Sequence, residues 1–414
     1  MTTTPYAPLA RYAARLHADI GDRHHVASPL GAWLLLALAA PAAAGPVRAD
    51  LDDVLGTDAD AAAATAAALL DRPHPLVPAA TAVWHRPGYD TGLADWRAGL
   101  PRATATGPLP EQAELDAWAR EHTLGLIERF PLTVSPRVVL ALASALATRI
   151  SWADPFDLAP AGALGAGSAW AGRLEQVLRT PARGHRAWIA SAGAAGDVAV
   201  HRASAVERDG AGLAVVSVAA DPGVPPAEVL AAAYEVSGAA IDEDAEPAGR
   251  RSLFDLPLGE GPLWTLREER APTRARNGRE ERHSAVLPCW SARDEHDLTA
   301  PGLGFPAVSR ALAGLLGEAD LGVEARQAAM ARYGRYGFEA AAVTGAFALT
   351  SMPPEGLVRT AELRFGHPYA VVAVTTDRRG GGTGPWHGVP VFSAWVAEPE
   401  EPAETDRADP PEAF

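Results

Sequence analysis

Few residues in this sequence have the type and spacing that covalent or acid–base chemistry requires. The 414 residues include a single cysteine, Cys289, which makes neither an internal disulfide nor a redox pair. His24-His25 stands without the Cys or carboxylate spacing of a metal site and reads as a solvated loop pair, so no metal or other cofactor is expected. There is no Gly-x-Ser-x-Gly nucleophile elbow, no glycine-rich loop ending in Lys for phosphate, and no His-Glu-x-x-His helix. Gly302-Leu303-Gly304-Phe305-Pro306-Ala307 copies a dinucleotide fingerprint, but no strand leads into it and Pro306 falls at the supposed helix start, so a turn is expected. Gly380 to Gly384 reads as a connection between two strands. With no convergent acid, base and nucleophile, the chain is not expected to be an enzyme.

The elements around these residues indicate one large α+β domain. Apolar positions Leu9, Tyr12, Ala13 and Leu16 predict an opening amphipathic helix. Ser28-Pro29 then supplies an N-cap with proline in the first turn, and the segment after it is apolar on all sides, as a fully buried helix would be. Further helix is expected through Leu51 to Leu70 and from Glu111 to Arg129, stopped by Pro131. From Val138 the pattern turns to strands: Val138 to Leu146, Leu213 to Val218, Ser284 to Trp290, Tyr369 to Thr375 and Val389 to Val396. No repeat or linker divides the chain, so residues 1–399 read as one domain and 400–414 as an acidic, proline-rich disordered tail.

Composition narrows the partners. A net charge of −15, with arginine as the only strong base and no lysine, repels a phosphate backbone and argues against nucleic acid. No apolar run is long enough to span a bilayer, and Met1 to Leu16 lacks the pattern of a signal peptide. A cytoplasmic placement is therefore favoured, and the protein is expected to be a monomer.

Several segments in order resemble the serpin family. Ala27-Ser28-Pro29-Leu30 and then Leu51 to Gly56 are similar to its Ser-Pro helix and the helix end beyond. Leu115 to Ile127, with Trp118, Thr123, Gly125 and Ile127 in matching places, resembles the helix lying across the main sheet. Val139 to Phe156, with Trp152 and Pro155-Phe156, resembles the central strand and the tryptophan at the loop-entry point. Val286-Leu287-Pro288, Asp297-Leu298, Leu303-Gly304, Phe365 to Tyr369 and Val391 to Pro399 resemble later strands and a helix, and the Ala, Gly, Pro and Arg bias fits a bacterial member. The resemblance implies helices packed on a large mixed central β-sheet, two smaller sheets and an exposed reactive-centre loop at about 335–364. It also implies a suicide inhibitor of a serine protease, cleaved in that loop, which then inserts as a strand and traps the acyl-enzyme. The alternative it leaves is a non-inhibitory binding protein whose loop is at most a substrate.

In that frame the hinge is Gly337, Phe338, Glu339, Ala340, Ala341, Ala342, Val343 and Thr344. A strand alternates its faces, and the even positions Phe338, Ala340, Ala342, Thr344, Ala346, Ala348 and Thr350 are small except at Phe338. A one-residue slip would bury Glu339 instead. Counting from the hinge puts the reactive bond at Ser351-Met352, which suits an elastase- or subtilisin-like protease, while Arg359-Thr360 offers an alternative, exposed trypsin-like target. Ser28, Ser144, Gln327, Trp152 and Arg335 fall in the loop-entry and sheet-opening region. Ser144 and Gln327 stand where the family usually has Asn and His. Arg335 replaces a hinge carboxylate and Cys289 its basic partner, so the usual ion pair cannot form there.

Overall fold

The computed structural model describes residues 5–135, 138–239, 241, 247, 249–318, 321, 324–337 and 354–407. Helix Tyr6–Ile20 buries Leu9, Tyr12, Ala13 and Leu16, as their spacing requires. Ser28 caps helix Pro29–Ala39, accepting a bond from the Gly31 amide, and every residue of that helix is buried. The Leu51 to Leu70 region is two helices, Gly45–Leu55 and Ala59–Leu70, with Gly56 in the left-handed region ending the first.

A six-stranded antiparallel sheet runs His25–Ala27, Pro390–Val396, Tyr369–Asp377, Ala211–Ala219, Gly196–Ser204 and Arg186–Ala192 in spatial order. Its strands are apolar on both faces because both are covered. Val216, Val218 and Val372 face helix Pro226–Ala239, while Leu213, Val215 and Val371 join the core around helix Pro29–Ala39. Gly380 to Gly384 lies in the connection between two of these strands, as expected. The second six-stranded sheet is mixed: Gly259–Glu260, Trp264–Pro272, Glu355–Arg364, Arg279–Leu287, Gln176–Arg179 and Asp157–Pro160. A third layer comes in two pieces, the strands Thr104–Pro108, Ala79–His85 and Leu140–Leu146, and the pair Trp290–Asp297 and Arg326–Tyr333.

The structure corrects four expectations. The helix from Glu111 spans only Gln112–His122, because Leu124 and Gly125 both take positive φ and break it well before Pro131. Its buried face, with Leu115 and Trp118, still packs on Trp84, Ala141 and Ala143, across the three-stranded piece. His25 is not a loop residue but begins a buried strand. The loop does not extend to 364, since Glu355–Arg364 is a central strand paired on both sides. The tail is not disordered from 400: residues through Arg407 dock on the body and include the short helix Glu404–Arg407, while 408–414 lie outside the described residues. Among the described residues no helix is long and apolar enough to cross a membrane.

Candidate functional site

The two pieces of the third layer face one another across a cleft. Strand Leu140–Leu146 pairs along one edge with Ala79–His85, and strand Arg326–Tyr333 pairs along one edge with Trp290–Asp297. Among the described residues no backbone hydrogen bond joins the first piece to the second. Between them lies a cleft of about 460 Å³ whose lining includes Leu35, Leu142, Leu146 and Phe305, with Trp118 and Phe130 above. The facing edges of these two strands have no ladder partner among the described residues and border apolar surface, and the element that would satisfy both is another strand.

Each piece is tied separately to the first turn of helix Pro29–Ala39. The Ser28 amide donates to Gln327 Oε1 (2.9 Å), and Gln327 Nε2 donates to the Ser28 carbonyl (2.8 Å). Ser144 Oγ donates to the Gly31 carbonyl (2.9 Å), and Ser28 Oγ to that of Val391 (2.9 Å). The structure therefore brings Ser28, Ser144 and Gln327 together, with the two strand side chains anchored to the helix turn and not to each other.

The gap between the two pieces closes at one end, its mouth, at residues 334–337, which follow strand Arg326–Tyr333. Ser151 and Gly337 form a bridge, the Trp152 amide donates to the Tyr336 carbonyl (3.2 Å), and the Phe156 amide donates to the Arg335 carbonyl (3.1 Å). Gly337 has φ 83°, and a Cβ there would sit 2.4 Å from the Ile150 carbonyl oxygen, so only glycine fits this departure point. Trp152, 2% exposed, donates from Nε1 to the Gly334 carbonyl (2.9 Å). Its ring meets Tyr333 and Phe156, and Tyr333 in turn stacks on Trp290. Trp152→Ala removes the centre of this aromatic belt and is expected to cost about 3–5 kcal/mol in urea unfolding.

The remaining site residues divide. Phe338 to Thr344, Ser351 and Met352 lie outside the described residues. Arg359-Thr360 is described and is not an exposed target: Arg359 pairs in register with Glu268 on one side and Glu281 on the other. Its side chain, 15% exposed, bonds Glu268 Oε2 (2.8 Å) and the carbonyls of Leu253 (2.6 Å) and Leu256 (3.1 Å). A protease needs the chain around its target bond in extended, unpaired form, and here both edges are occupied. Arg335, which stands where the resemblance expects a hinge carboxylate, donates from Nε to the Phe156 carbonyl (3.0 Å) and from Nη1 to that of Asp406 (3.2 Å). Cys289 is buried, and burial pushes its thiol up, away from reactivity.

One cluster escaped sequence reading because its members are far apart in the chain. His25 Nδ1 faces the Arg23 carbonyl (2.7 Å), which can only accept, so His25 Nε2 is the acceptor for His17 Nδ1–H (2.7 Å). His17 Nε2 then accepts from Ser393 Oγ (2.7 Å), which accepts from the Tyr234 hydroxyl (3.0 Å). His296 donates to the Val26 carbonyl (2.7 Å) beside the Arg23–Asp294 ion pair. The chain of bonds requires neutral rings, and burial, with repulsion between the histidines, pushes His17 down to about 3 and His25 to about 4. Between these values and the ordinary histidine value, the unfolded chain binds protons that the folded chain refuses. Stability is therefore full near neutrality and falls with pH through that window, by about 3 kcal/mol for each such histidine. Urea unfolding from about pH 7.5 to about pH 4.5 is expected to show this loss, and His17→Gln to flatten it.

No family model matches the sequence, and no curated protein matches it. Solved structures do. The thermophilic serpin tengpin, in its native state, matches at 12% identity with a TM-score of 0.60, over 95% of this chain and 94% of that one. A cleaved form of Serpin 42Da matches at 14% identity and a TM-score of 0.59, over 97% and 100% of the two chains. Human thyroxine-binding globulin complexed with thyroxine matches at 13% identity and a TM-score of 0.57, over 95% and 98%.

Proposed function

We propose that this chain, which has the serpin fold, acts as a monomeric suicide inhibitor of a serine protease, using residues 338–353 as bait and the split sheet as the trap. The observation that supports this reading is the cleft itself: two facing strand edges that have no ladder partner among the described residues, with Gly337, the last described residue before the bait segment, bridged to Ser151. In the proposed reaction the protease serine attacks the Ser351 carbonyl carbon, the bond to the Met352 nitrogen breaks, and Met352 leaves with a new amino group. The ester that remains joins Ser351 to the protease. Insertion of the segment as a strand between Leu140–Leu146 and Arg326–Tyr333 carries the protease with it before water cleaves the ester.

The far side of the bond supports the same reading. Pro354 accepts from the Thr273 amide (3.0 Å) and Leu357 donates to the Gly278 carbonyl (2.8 Å), so the segment after the cut is held in the mixed sheet. The test is to mix the pure protein with subtilisin-, elastase- and trypsin-like proteases and analyse the products by denaturing electrophoresis and mass spectrometry. A covalent complex, with loss of protease activity and release of a peptide beginning at Met352, is expected. Cleavage without a complex and with full protease activity would replace inhibition by the binding-protein reading.

A further inference from the structure

The acidic tail reads as solvated chain by composition, yet its residues 400–407 lie against the strands and turn that close the gap. The Glu400 amide donates to the Cys289 carbonyl (2.7 Å), and Ser291 Oγ donates to Glu400 Oε1 (2.6 Å). Pro402 is buried, and Arg407 closes the segment on itself through the Pro402 carbonyl (3.1 Å) and Glu401 (3.1 Å). Asp406 is then placed 4% exposed, a carboxylate buried by a chain that is already strongly acidic. Such a group requires a specific partner, and it has one: Arg332 Nη2 lies 2.9 Å from Asp406 Oδ2. The approach is close enough that a Cβ on Gly334 would stand 2.7 Å from the same oxygen.

We infer that segment 398–407 is a strap that sets how readily the mouth opens, with Asp406 as the residue that positions Arg335. The Arg335 guanidinium bonds the Phe156 carbonyl on one wall and the Asp406 carbonyl on the tail, and it stacks over Tyr336. Its own backbone carbonyl accepts from the Phe156 amide. For a strand to enter, these bonds between 335–337 and 151–156 must break. While Asp406 is pinned to Arg332, Arg335 is held across the mouth; without that pin its guanidinium loses its bond to the tail.

The inference rests on the proposed insertion, because opening matters only if a strand enters, but its test does not need a protease. Amide hydrogen exchange of Trp152 and Phe156, whose backbone amides both donate across the mouth, reports opening directly. In the full-length protein Asp406→Asn is expected to speed both about tenfold, as when one partner of a charge-assisted bond is removed. Amides of Ala211–Ala219 should keep their rates. Gly334→Ala, which displaces the Asp406 carboxylate without changing the sequence of the tail, should do the same, as should a chain ending at Glu398. Unchanged rates at Trp152 and Phe156 in Asp406→Asn would overturn the strap, and so would equal acceleration in Ala211–Ala219, which would mark general destabilisation. Altered exchange in a protein that traps no protease would keep the strap and remove the inhibitor reading; trapping with unmoved exchange would do the reverse.

Discussion

Cutting the bond between Ser351 and Met352 should raise the melting temperature by at least about 10 °C, which is the opposite of what a nick does to most folds. The reason is the split sheet. Among the described residues, strands Leu140–Leu146 and Arg326–Tyr333 each have a ladder partner along one edge only, and the cleft of about 460 Å³ between them leaves Leu142 and Leu146 partly uncovered. A strand entering there makes bonds along both edges, roughly ten in all at about 1 kcal/mol each, and covers apolar surface. Ordering the inserted residues offsets part of this. A net gain of only about 5 kcal/mol, at about 2 °C per kcal/mol for a chain of this size, gives the stated shift. Scanning calorimetry of intact and nicked protein decides it. Equal melting temperatures would mean that the cleft stays empty after cleavage, and the trap would lose its driving force.

How much of this was legible in the sequence depended on whether the signal was local. The buried helix after Ser28-Pro29, the opening helix and the long apolar strands follow from capping and periodicity, which neighbouring residues carry. Strand Trp264–Pro272 was not readable, because Arg267-Glu268-Glu269-Arg270 has no apolar alternation; its pairing with Glu355–Arg364 is set by the partner. The same partner explains the misplaced loop end. Arg359 looks like an exposed protease site until Glu268 arrives from a segment about ninety residues away to occupy it. Val358, Ala361 and Leu363, all buried, were the signal for a strand there, masked by the charges between them. Asp406 followed the same logic: an acidic, proline-rich composition describes a disordered tail, and only the position of Arg332 in the folded sheet gives that carboxylate a place. The histidine chain from His25 to Ser393 likewise exists only once the Tyr6–Ile20 helix, the first strand and the last lie side by side.

Thr344→Arg is expected to abolish trapping while leaving the loop as cleavable as before. If the segment enters the cleft in the register its alternation favours, Ala340, Ala342, Thr344 and Ala346 turn to the floor of Leu35, Leu142 and Phe305. A guanidinium on that face would be buried against hydrocarbon without a carboxylate, at a cost of several kcal/mol. Insertion and ester hydrolysis compete, and each 1.4 kcal/mol added to the insertion barrier shifts that competition by about tenfold. The fraction of protease held in covalent complex should therefore fall below about a tenth of the unmodified protein's. The melting temperature of the nicked variant should stay at that of the intact one. Val343→Arg places the same charge one residue away, on the face turned from the floor, and should retain most of the trapping. Phe338→Ala, which removes the one bulky side chain from the inserting face, should lower the number of inhibitor molecules spent per protease. Equal loss in Thr344→Arg and Val343→Arg would mean that charge anywhere in the loop prevents insertion. Undiminished trapping by Thr344→Arg would exclude this register and, with it, the reading of the small-residue face as the one the sheet receives.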